Sequence, residues 1–567
     1  MPTRSKTIDY LLTLKGMIYR NLKISALMLM LAGVSFAARA QNETGELESR
    51  EIVIEKVREI TLRKASRNFE KIPPRPAENI KAPMTYDFQS FSFQAPQVTT
   101  QMRPLKLKQE TSRDVHGGYL RLGYGNYSSP LLEAYLNTRK DKNKLLGAYL
   151  YHHSSGKGPV DGKNSGSGTT GISLAGSSFS DAIALSGNVG FENRTTHFYG
   201  YPEEVPVDRD TLKQAYNIFR LAGTISNAKN SDFAYKLGAG FSFLSDKFDA
   251  RETEVGLNFG SSYEIDEDSK IALKADYTVI TRKDAHIDAK PRSLFVVNPT
   301  YNFPAAEDLQ LSVGFVVAYE NDSIDSKDLH VYPDVRATYP LSPTVDAVAF
   351  LTGGIEKVSL QTLSYENLWL APDIAIFHTN KTLDFGVGIN ARLGNKVSAH
   401  AGLSLSTLKN LYSYVNGLEN QSKFYAVYDK GTTKRTNLYA ALSYAQSEEV
   451  KFMLRGDFYG YNAGDLDEVY HRPTTKLTAN ASYNIYQKII LSADLIAQGG
   501  MKAYDASQDK TVKLDGAFDL NAKAEYLFSP TFSAFVQLNN ITSNKYPLYL
   551  HYPVRAFQAL AGITWSF

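Results

Sequence analysis

The chain contains no cysteine. That absence excludes a disulfide framework, a thiolate-ligated zinc or iron–sulfur site, and a lipidated N-terminal cysteine, so a lipoprotein is ruled out. A charge excess of one sign is also missing. Sixty-two Lys and Arg stand against 59 Asp and Glu, leaving a formal net charge of +3. With no long basic run, the sequence carries no nucleic-acid footprint. Past the N-terminal leader, no apolar run is long enough for a transmembrane helix, and the mean hydropathy of −0.29 excludes a helical membrane bundle. A β-barrel survives this test, because its strands are half polar. Trp is scarce, 2 residues against 36 Tyr and 29 Phe in a chain of 567.

Chemical signatures are missing as well. The sequence has no G-x-S-x-G, no H-E-x-x-H and no pairing of His with Ser, so no catalytic residue, cofactor site or metal site is assigned and the chain is not read as an enzyme. "GKGPVDGKNSGSG" is glycine-rich, yet the residue five before Gly162 is Lys157 and Asn164 follows Lys163, so it is read as a mobile loop rather than a phosphate cradle. His152 and His153 are neighbours on a strand, point to opposite faces and cannot share a metal. The acidic stretches "ENDSIDSKD" and "DLDE" lack the spacing and turn glycine of an EF-hand and read as solvated loop carboxylates.

What is present sorts into three parts. Arg20 and Lys23 precede the apolar run "ISALMLMLAGVSF", and Ala38 to Ala40 offer a small-x-small cleavage site, so residues 1–40 are read as a secretory signal peptide. Residues 41–114 differ from all that follows. They are dense in both charges, then extended by Pro73, Pro74, Pro76 and Pro83, and are read as a short periplasmic extension. From residue 115 to 567 the text becomes repetitive: amphipathic runs joined alternately by short turns and longer connections. "KIALKADYTV" sets Ile271, Leu273, Ala275, Tyr277 and Val279 against Lys274, Asp276 and Thr278. "KLTANASYNI" and "FDLNAKAEYLF" repeat the pattern. The fold class predicted is all-β: a transmembrane antiparallel β-barrel of about 22 strands, within a range of about 18 to 24.

Short periplasmic turns are expected at Asp141-Lys142-Asn143, Ser180-Asp181, Asp266-Glu267-Asp268, Leu341-Ser342-Pro343, Gly394-Asn395, Ser447-Glu448-Glu449, Tyr486-Gln487-Lys488 and Ser529-Pro530. Longer connections such as "SLQTLSYENLWLAPD" alternate with them. The runs around Ile374 and Tyr425 read equally as strand or loop. Tyr124, Tyr127, Tyr149, Tyr263, Tyr301, Tyr526 and Tyr546, near strand ends, are expected in aromatic girdles at the two membrane interfaces. The chain closes on "AFQALAGITWSF". Phe557, Ala559, Ala561, Ile563, Trp565 and Phe567 are expected against lipid, with Gln558, Leu560, Gly562, Thr564 and Ser566 toward the lumen.

The stretch "LNNITSNKYPLYLHYPVRAFQALAGITWSF" resembles the closing strands of TonB-dependent outer-membrane receptors. The resemblance rests on Asn540, Ile541, Thr542 and Tyr546, then Tyr552, Pro553, Arg555 and Phe557, then Trp565 and Phe567, with Val554 where glycine is usual. "GGYLRLGYGNYSSPLLEAYL" is similar to the family's first barrel hairpin. Gly562, Trp565 and Phe567 resemble the C-terminal assembly signal read by the outer-membrane insertion machinery, from which Leu560 departs. The resemblance implies the outer membrane of a Gram-negative bacterium, contact with its lipid, and solute transport or uptake. Family members also carry a plug before the barrel, and 41–114 is about half the length needed, so a full plug is not expected. A 22-stranded barrel needs its lumen filled. The N-terminal segment, a partner, or lumenal side chains and loops remain as alternatives. "EIVIE", Glu51, Ile52, Val53, Ile54 and Glu55, resembles a TonB box that would add as an edge strand to a partner, and reads equally as an ordinary strand or helix of a small periplasmic module, since "EIVIEKVREITL" carries both patterns. The other reading is a non-transporting scaffold whose segment 41–114 docks periplasmic proteins.

Overall fold

Alternation of side chains along a strand builds two faces with no further instruction. In this protein the two faces become the outside and inside of a closed cylinder. The structure is a computed structural model. It describes residues 116–567 apart from 139–140, 142, 203–206, 229–230, 323–326 and 447–448. The leader 1–40, the extension 41–114 and the Glu51–Glu55 stretch lie outside the described residues.

The strands begin with β1 (Gly118–Gly125), β2 (Ser129–Asn137), β3 (Lys144–Ser155), β4 (Ser167–Phe179), β5 (Ile183–His197) and β6 (Lys213–Asn227). They continue as β7 (Phe233–Asp246), β8 (Arg251–Glu264), β9 (Lys270–Lys283), β10 (Arg292–Ala306), β11 (Leu309–Glu320) and β12 (Leu329–Ser342). Next come β13 (Val345–Glu356), β14 (Thr379–Leu393), β15 (Val397–Asn416), β16 (Phe424–Gln446), β17 (Val450–Asn462), β18 (Thr475–Ile485) and β19 (Ile489–Gly499). A small hairpin, β20 (Lys502–Asp505) and β21 (Lys510–Lys513), precedes β22 (Ala517–Leu527) and β23 (Phe532–Asn539). A second small pair, β24 (Pro547–Tyr549) and β25 (Tyr552–Pro553), leads into β26 (Gln558–Ser566). Two short helices, α1 (Arg209–Leu212) and α2 (Leu360–Glu366), sit in connections.

Among the described residues, 22 of these strands form one antiparallel sheet, each paired with its sequence neighbour. The sheet closes where β1 pairs with β26, from Tyr119 opposite Ser566 to Gly125 opposite Leu560. Closure removes both sheet edges, which a lipid environment could not satisfy. No described helix is long and apolar enough to cross a membrane.

The last strand behaves as its parity predicts. Trp565 and Phe567 are 48% and 40% exposed on the outer face, whereas Leu560 and Thr564 are 9% and 5% exposed on the inner one. The terminal carbonyl of Phe567 accepts the N–H groups of Gly117 and Gly118, both at 2.9 Å, and the Phe567 N–H returns to the Gly118 carbonyl at 3.0 Å. The Phe567 ring lies over Gly118, where a Cβ would meet it at 2.3 Å. Phe567 is thus part of the seam that joins β26 to β1.

Connections alternate in length around the cylinder, giving a short-turn rim, which also carries the chain's end, and a long-loop rim. The expected short turns fall on the short-turn rim, save that Lys142, Ser447 and Glu448 lie outside the described residues. Two further turns there, after β6 and after β10, were not among those expected, although Asn227, Ser231 and Asp232 beside the first and Asp308 in the second are turn-forming residues. Of the two ambiguous runs, Tyr425 belongs to β16, whereas Ile374 lies in the connection after β13 and is buried.

The girdle expectation holds in part. Tyr124, Tyr263, Tyr301 and Tyr526 are exposed. Tyr149 instead stacks between Tyr135 and Tyr151 at centroid distances of 4.2 and 5.1 Å, in the row whose Tyr151 hydroxyl reaches the lumenal Glu192. Tyr546 donates to Asp519 at 2.9 Å. Tyr149 shares the inward parity of Tyr151 on β3, and Tyr546, in the connection after β23, is held by Asp519 of β22.

Candidate functional site

A barrel this wide must be filled, and here the connection between β13 and β14 folds back across the mouth. Its local sequence explains why it is ordered. Ser359 caps α2 by accepting the Thr362 N–H at 3.1 Å, and Leu360 and Leu363 supply an apolar face. The wall completes the cap. Glu252 on β8, 3% exposed, accepts the Leu360 N–H at 2.7 Å with one carboxylate oxygen and the Gln361 N–H at 2.9 Å with the other. These two orphan donors at a helix N-terminus are thereby satisfied by both oxygens of one buried carboxyl group.

The segment then crosses to the far wall. Arg194 on β5 donates to the Ser364 carbonyl at 3.2 Å, while Tyr412 and Tyr414 on β15 donate to the two Glu366 oxygens at 2.6 and 2.9 Å. In a 22-stranded circuit, β5 to β8 and β15 stand on nearly opposite sides. The other end returns along β16. The Phe424 N–H donates to the Trp369 carbonyl at 2.9 Å, and the Ala371 N–H donates to the Phe424 carbonyl at 2.8 Å.

Five connections of the long-loop rim meet around Trp369. Its ring lies 4.2 Å from Tyr552, 5.6 Å from Tyr199 and 6.0 Å from Tyr549, and its indole N–H donates to the His197 carbonyl at 3.0 Å. Phe424 packs on Tyr549 and on His471 at 5.3 and 5.6 Å. The Tyr552 hydroxyl donates to the Ser422 carbonyl. Phe198, Leu360, Leu363, Leu370, Ile374 and Ile376 complete this buried cluster. Apolar burial of this kind needs no partner protein to be stable, and the roof is built from the barrel's own loops.

A basic latch holds both stems of the segment. Arg292, at the start of β10, donates to the Val358 carbonyl at 2.5 Å and the Ile376 carbonyl at 3.0 Å, and also meets His378 Nδ1 at 2.8 Å. Its Nε faces Asp322 Oδ1 at 2.8 Å, an ion pair whose angle is not that of a hydrogen bond. Asp322 in turn accepts the His378 N–H at 2.5 Å. Burial, then the nearby Arg292 charge, pulls the His378 imidazole down to about 4. Burial does the same to His471, also to about 4. His471 donates from Nδ1 to the Tyr414 carbonyl at 2.9 Å and accepts the Leu550 N–H on Nε2 at 3.2 Å, an arrangement only the neutral ring can make.

Asp322 and Glu320 correct the reading of "ENDSIDSKD" as solvated carboxylates. Both are buried; Glu320 pairs with His330 at 3.3 Å. Residues 323–326 of that stretch lie outside the described residues. The glycine-rich loop is also more ordered than its composition suggests. It holds a short 3-10 turn, Gly162–Ser165, and Asp161 accepts the Tyr201 hydroxyl at 2.7 Å. His152 and His153 do point apart, with His152 engaged by Thr170 and Ser154 at 2.7 and 2.9 Å.

Beneath α2, on its lumenal side, lies a cavity of about 460 Å³. Arg220, Asp276, Asn188, Asn258, Thr278 and Tyr365 contribute to its wall. Tyr365 donates to Glu192 at 2.6 Å and lies under the Arg194 guanidinium at 4.3 Å. Among the described residues no group of three or more His, Asp or Glu is placed to hold a metal ion. Sequence reading missed Glu252, Arg292 and Trp369. One signal was available: "LQTLSYENLWLA" concentrates four Leu and one of the two Trp in a connection outside the strands, where water-facing loops are polar.

Gly562, Trp565 and Phe567 stand together on the closing strand, Gly562 opposite Gly123 of β1. No protein-family model matches the chain, and no curated protein matches it in sequence. Solved structures match it in fold. The ferric-catecholate import receptor Fiu from K12 E. coli, in its closed form, aligns with TM-score 0.61 at 10% identity, covering 80% of this chain and 82% of that one. The FrpB iron transporter from Neisseria meningitidis, F3-3 variant, gives 0.63 at 11% identity over 80% and 82%. The siderophore receptor PiuA from Acinetobacter baumannii gives 0.60 at 11% over the same shares. With its closed sheet of 22 strands, the chain has the barrel fold of these import receptors.

Proposed function

We propose that the protein is an outer-membrane barrel that takes up a solute and is held shut at rest by its own long-loop roof. The observation that carries this reading is the polar cavity directly beneath a roof latched at both stems. Likeness to import receptors for iron and siderophores supports uptake as the direction of transport and a binding role rather than an enzymatic one. Short turns face the periplasm in such barrels, which puts the roof outside the cell and the exported chain's extension 41–114 in the periplasm. The leader 1–40 would direct export, and Gly562, Trp565 and Phe567 would present the closing strand to the insertion machinery. No full plug precedes the barrel in this reading. Glu51 to Glu55 would engage TonB by strand addition.

Planar-bilayer recording tests the proposal. The intact chain should show low, rare conductance, and deleting 41–114 should leave the roofed barrel closed. Uptake that persists in folded Ile52→Pro would refute TonB coupling. A second reading, a non-transporting scaffold, is favoured by the aromatic cluster that joins five loops, since such a core resists opening. It requires periplasmic partners that co-purify only when 41–114 is present, and a barrel that stays shut after the roof latch is removed.

A further inference from the structure

The outer face of the long-loop rim carries three exposed cations, Lys213, Arg251 and Lys283. Arg251 opens β8 and Lys283 closes β9, and the two are directly opposite each other in the register. Both share parity with outward residues, Arg251 with Val255 and Leu257, Lys283 with Tyr277 and Ile271, all exposed. Lys213, opening β6, shares the outward parity of Phe219 and Leu221. Among the described residues Lys213, Arg251 and Lys283 make no ion pair. Asp288 faces Lys283 across an isolated bridge, and Asp249 lies in the turn above Arg251, yet neither forms one.

Like charges directly opposite on one face of a sheet are destabilising, and here nothing in the chain offsets them. The lumenal neighbours differ: Glu252 and Arg282, one residue along the same two strands, are both engaged, Glu252 by α2 and Arg282 by Asp284 at 3.4 Å. Below the cations the outer face turns apolar and aromatic at once, with Phe219 edge-on to Phe241 at 6.3 Å, then Leu221, Val255 and Leu257. Aromatics over an apolar belt mark the interface of a bilayer. Cations placed just above that interface meet lipid headgroups, where local anion concentration is high.

We propose that Arg251 and Lys283, with Lys213 higher on the same outer face, bind the phosphate-bearing headgroup of an outer-leaflet lipid whose acyl chains lie on the Phe219–Leu257 surface. The site requires the long-loop rim to face the outer leaflet and does not depend on what the barrel transports. A free phosphate would use the same cations but none of the apolar surface, so the lipid is the occupant.

The test uses the full chain purified from outer membranes in mild detergent, with folding checked by the heat-dependent gel shift of a closed barrel. Bound lipid is counted by native mass spectrometry, and affinity is read in nanodiscs made with phosphorylated or enzymatically dephosphorylated outer-leaflet lipid. Arg251→Gln with Lys283→Gln should weaken retention about thirtyfold, from about a factor of five for each cation at a membrane surface. Exposed Lys434→Gln on β16 should leave retention unchanged. Equal retention by the double variant would overturn the proposal, as would equal binding of dephosphorylated lipid or tight binding of inorganic phosphate alone. If the double variant loses the folded gel form, Lys283→Gln is read instead, with about a fivefold loss expected.

Discussion

Arg292→Ala is the sharpest test of the roof. One guanidinium joins the wall to both stems of the segment, through Val358, Ile376, His378 and Asp322. The Arg292 side chain is 13% exposed and that of Asp322 is 5%. Removing the arginine leaves a buried carboxylate without its countercharge and two carbonyls without donors. Breaking one side of such a pair costs about 3–5 kcal/mol. The cost falls on the closed roof, because an open roof returns Asp322 and the carbonyls to water. Even the lower figure shifts the closed-to-open ratio by about a hundredfold. Single-channel recording should therefore show open events that the parent lacks, and amide exchange across 359–377 should accelerate while the strands stay protected. Asp322→Asn beside Arg292→Ala should be milder than the sum of the two single changes, since it removes the stranded charge. Unchanged conductance and unchanged exchange in folded Arg292→Ala protein would refute the latch.

Three further outcomes follow from the same contacts. Closure should weaken as pH falls: His378 and His471 stand near 4 when buried and near 6.5 when exposed, so the open roof binds more protons between those values. At pH 5 the loss is about 2 kcal/mol for each histidine, and an open probability that does not rise from pH 7.5 to pH 5 would contradict it. Trp369→Ala should cost about 3–5 kcal/mol of roof packing and admit protease cleavage within 357–378, with the barrel intact; a roof as resistant as the parent's would count against the aromatic cluster. Gly562→Val should block closure of the cylinder, because a Cβ there meets the Leu122 carbonyl oxygen at 2.1 Å and the Phe535 ring at 2.7 Å. Gly240→Ala, with nothing within 4 Å, is its control, and equal folding of the two variants would show that the seam tolerates a side chain.

Much of the cylinder is legible from residues read two at a time. Ile271 to Val279 on one side and Lys274 to Thr278 on the other assign lipid and lumen without reference to any other strand. Trp565 and Phe567 against Leu560 and Thr564 do the same for the closing strand. The turns after β6 and β10 escaped because they contain neither glycine nor proline and their Asn, Ser and Asp are common elsewhere in the chain, Tyr149 because it stacks in an inward row with Tyr135 and Tyr151, and Tyr546 because its hydroxyl answers to Asp519. The four Leu and the Trp of "SLQTLSYENLWLAPD" marked it as an apolar connection, but where it would pack was not readable.

The sequence by itself determined that this chain builds a closed antiparallel barrel with one apolar and one polar face, because side-chain period is a local property of the backbone. Tertiary structure alone decided that the barrel has a roof. Leu360 meets Glu252 across 108 residues of sequence, and Glu366 meets Tyr549 across 183. Contacts at such separation exist only because the closed cylinder brings those segments around one mouth.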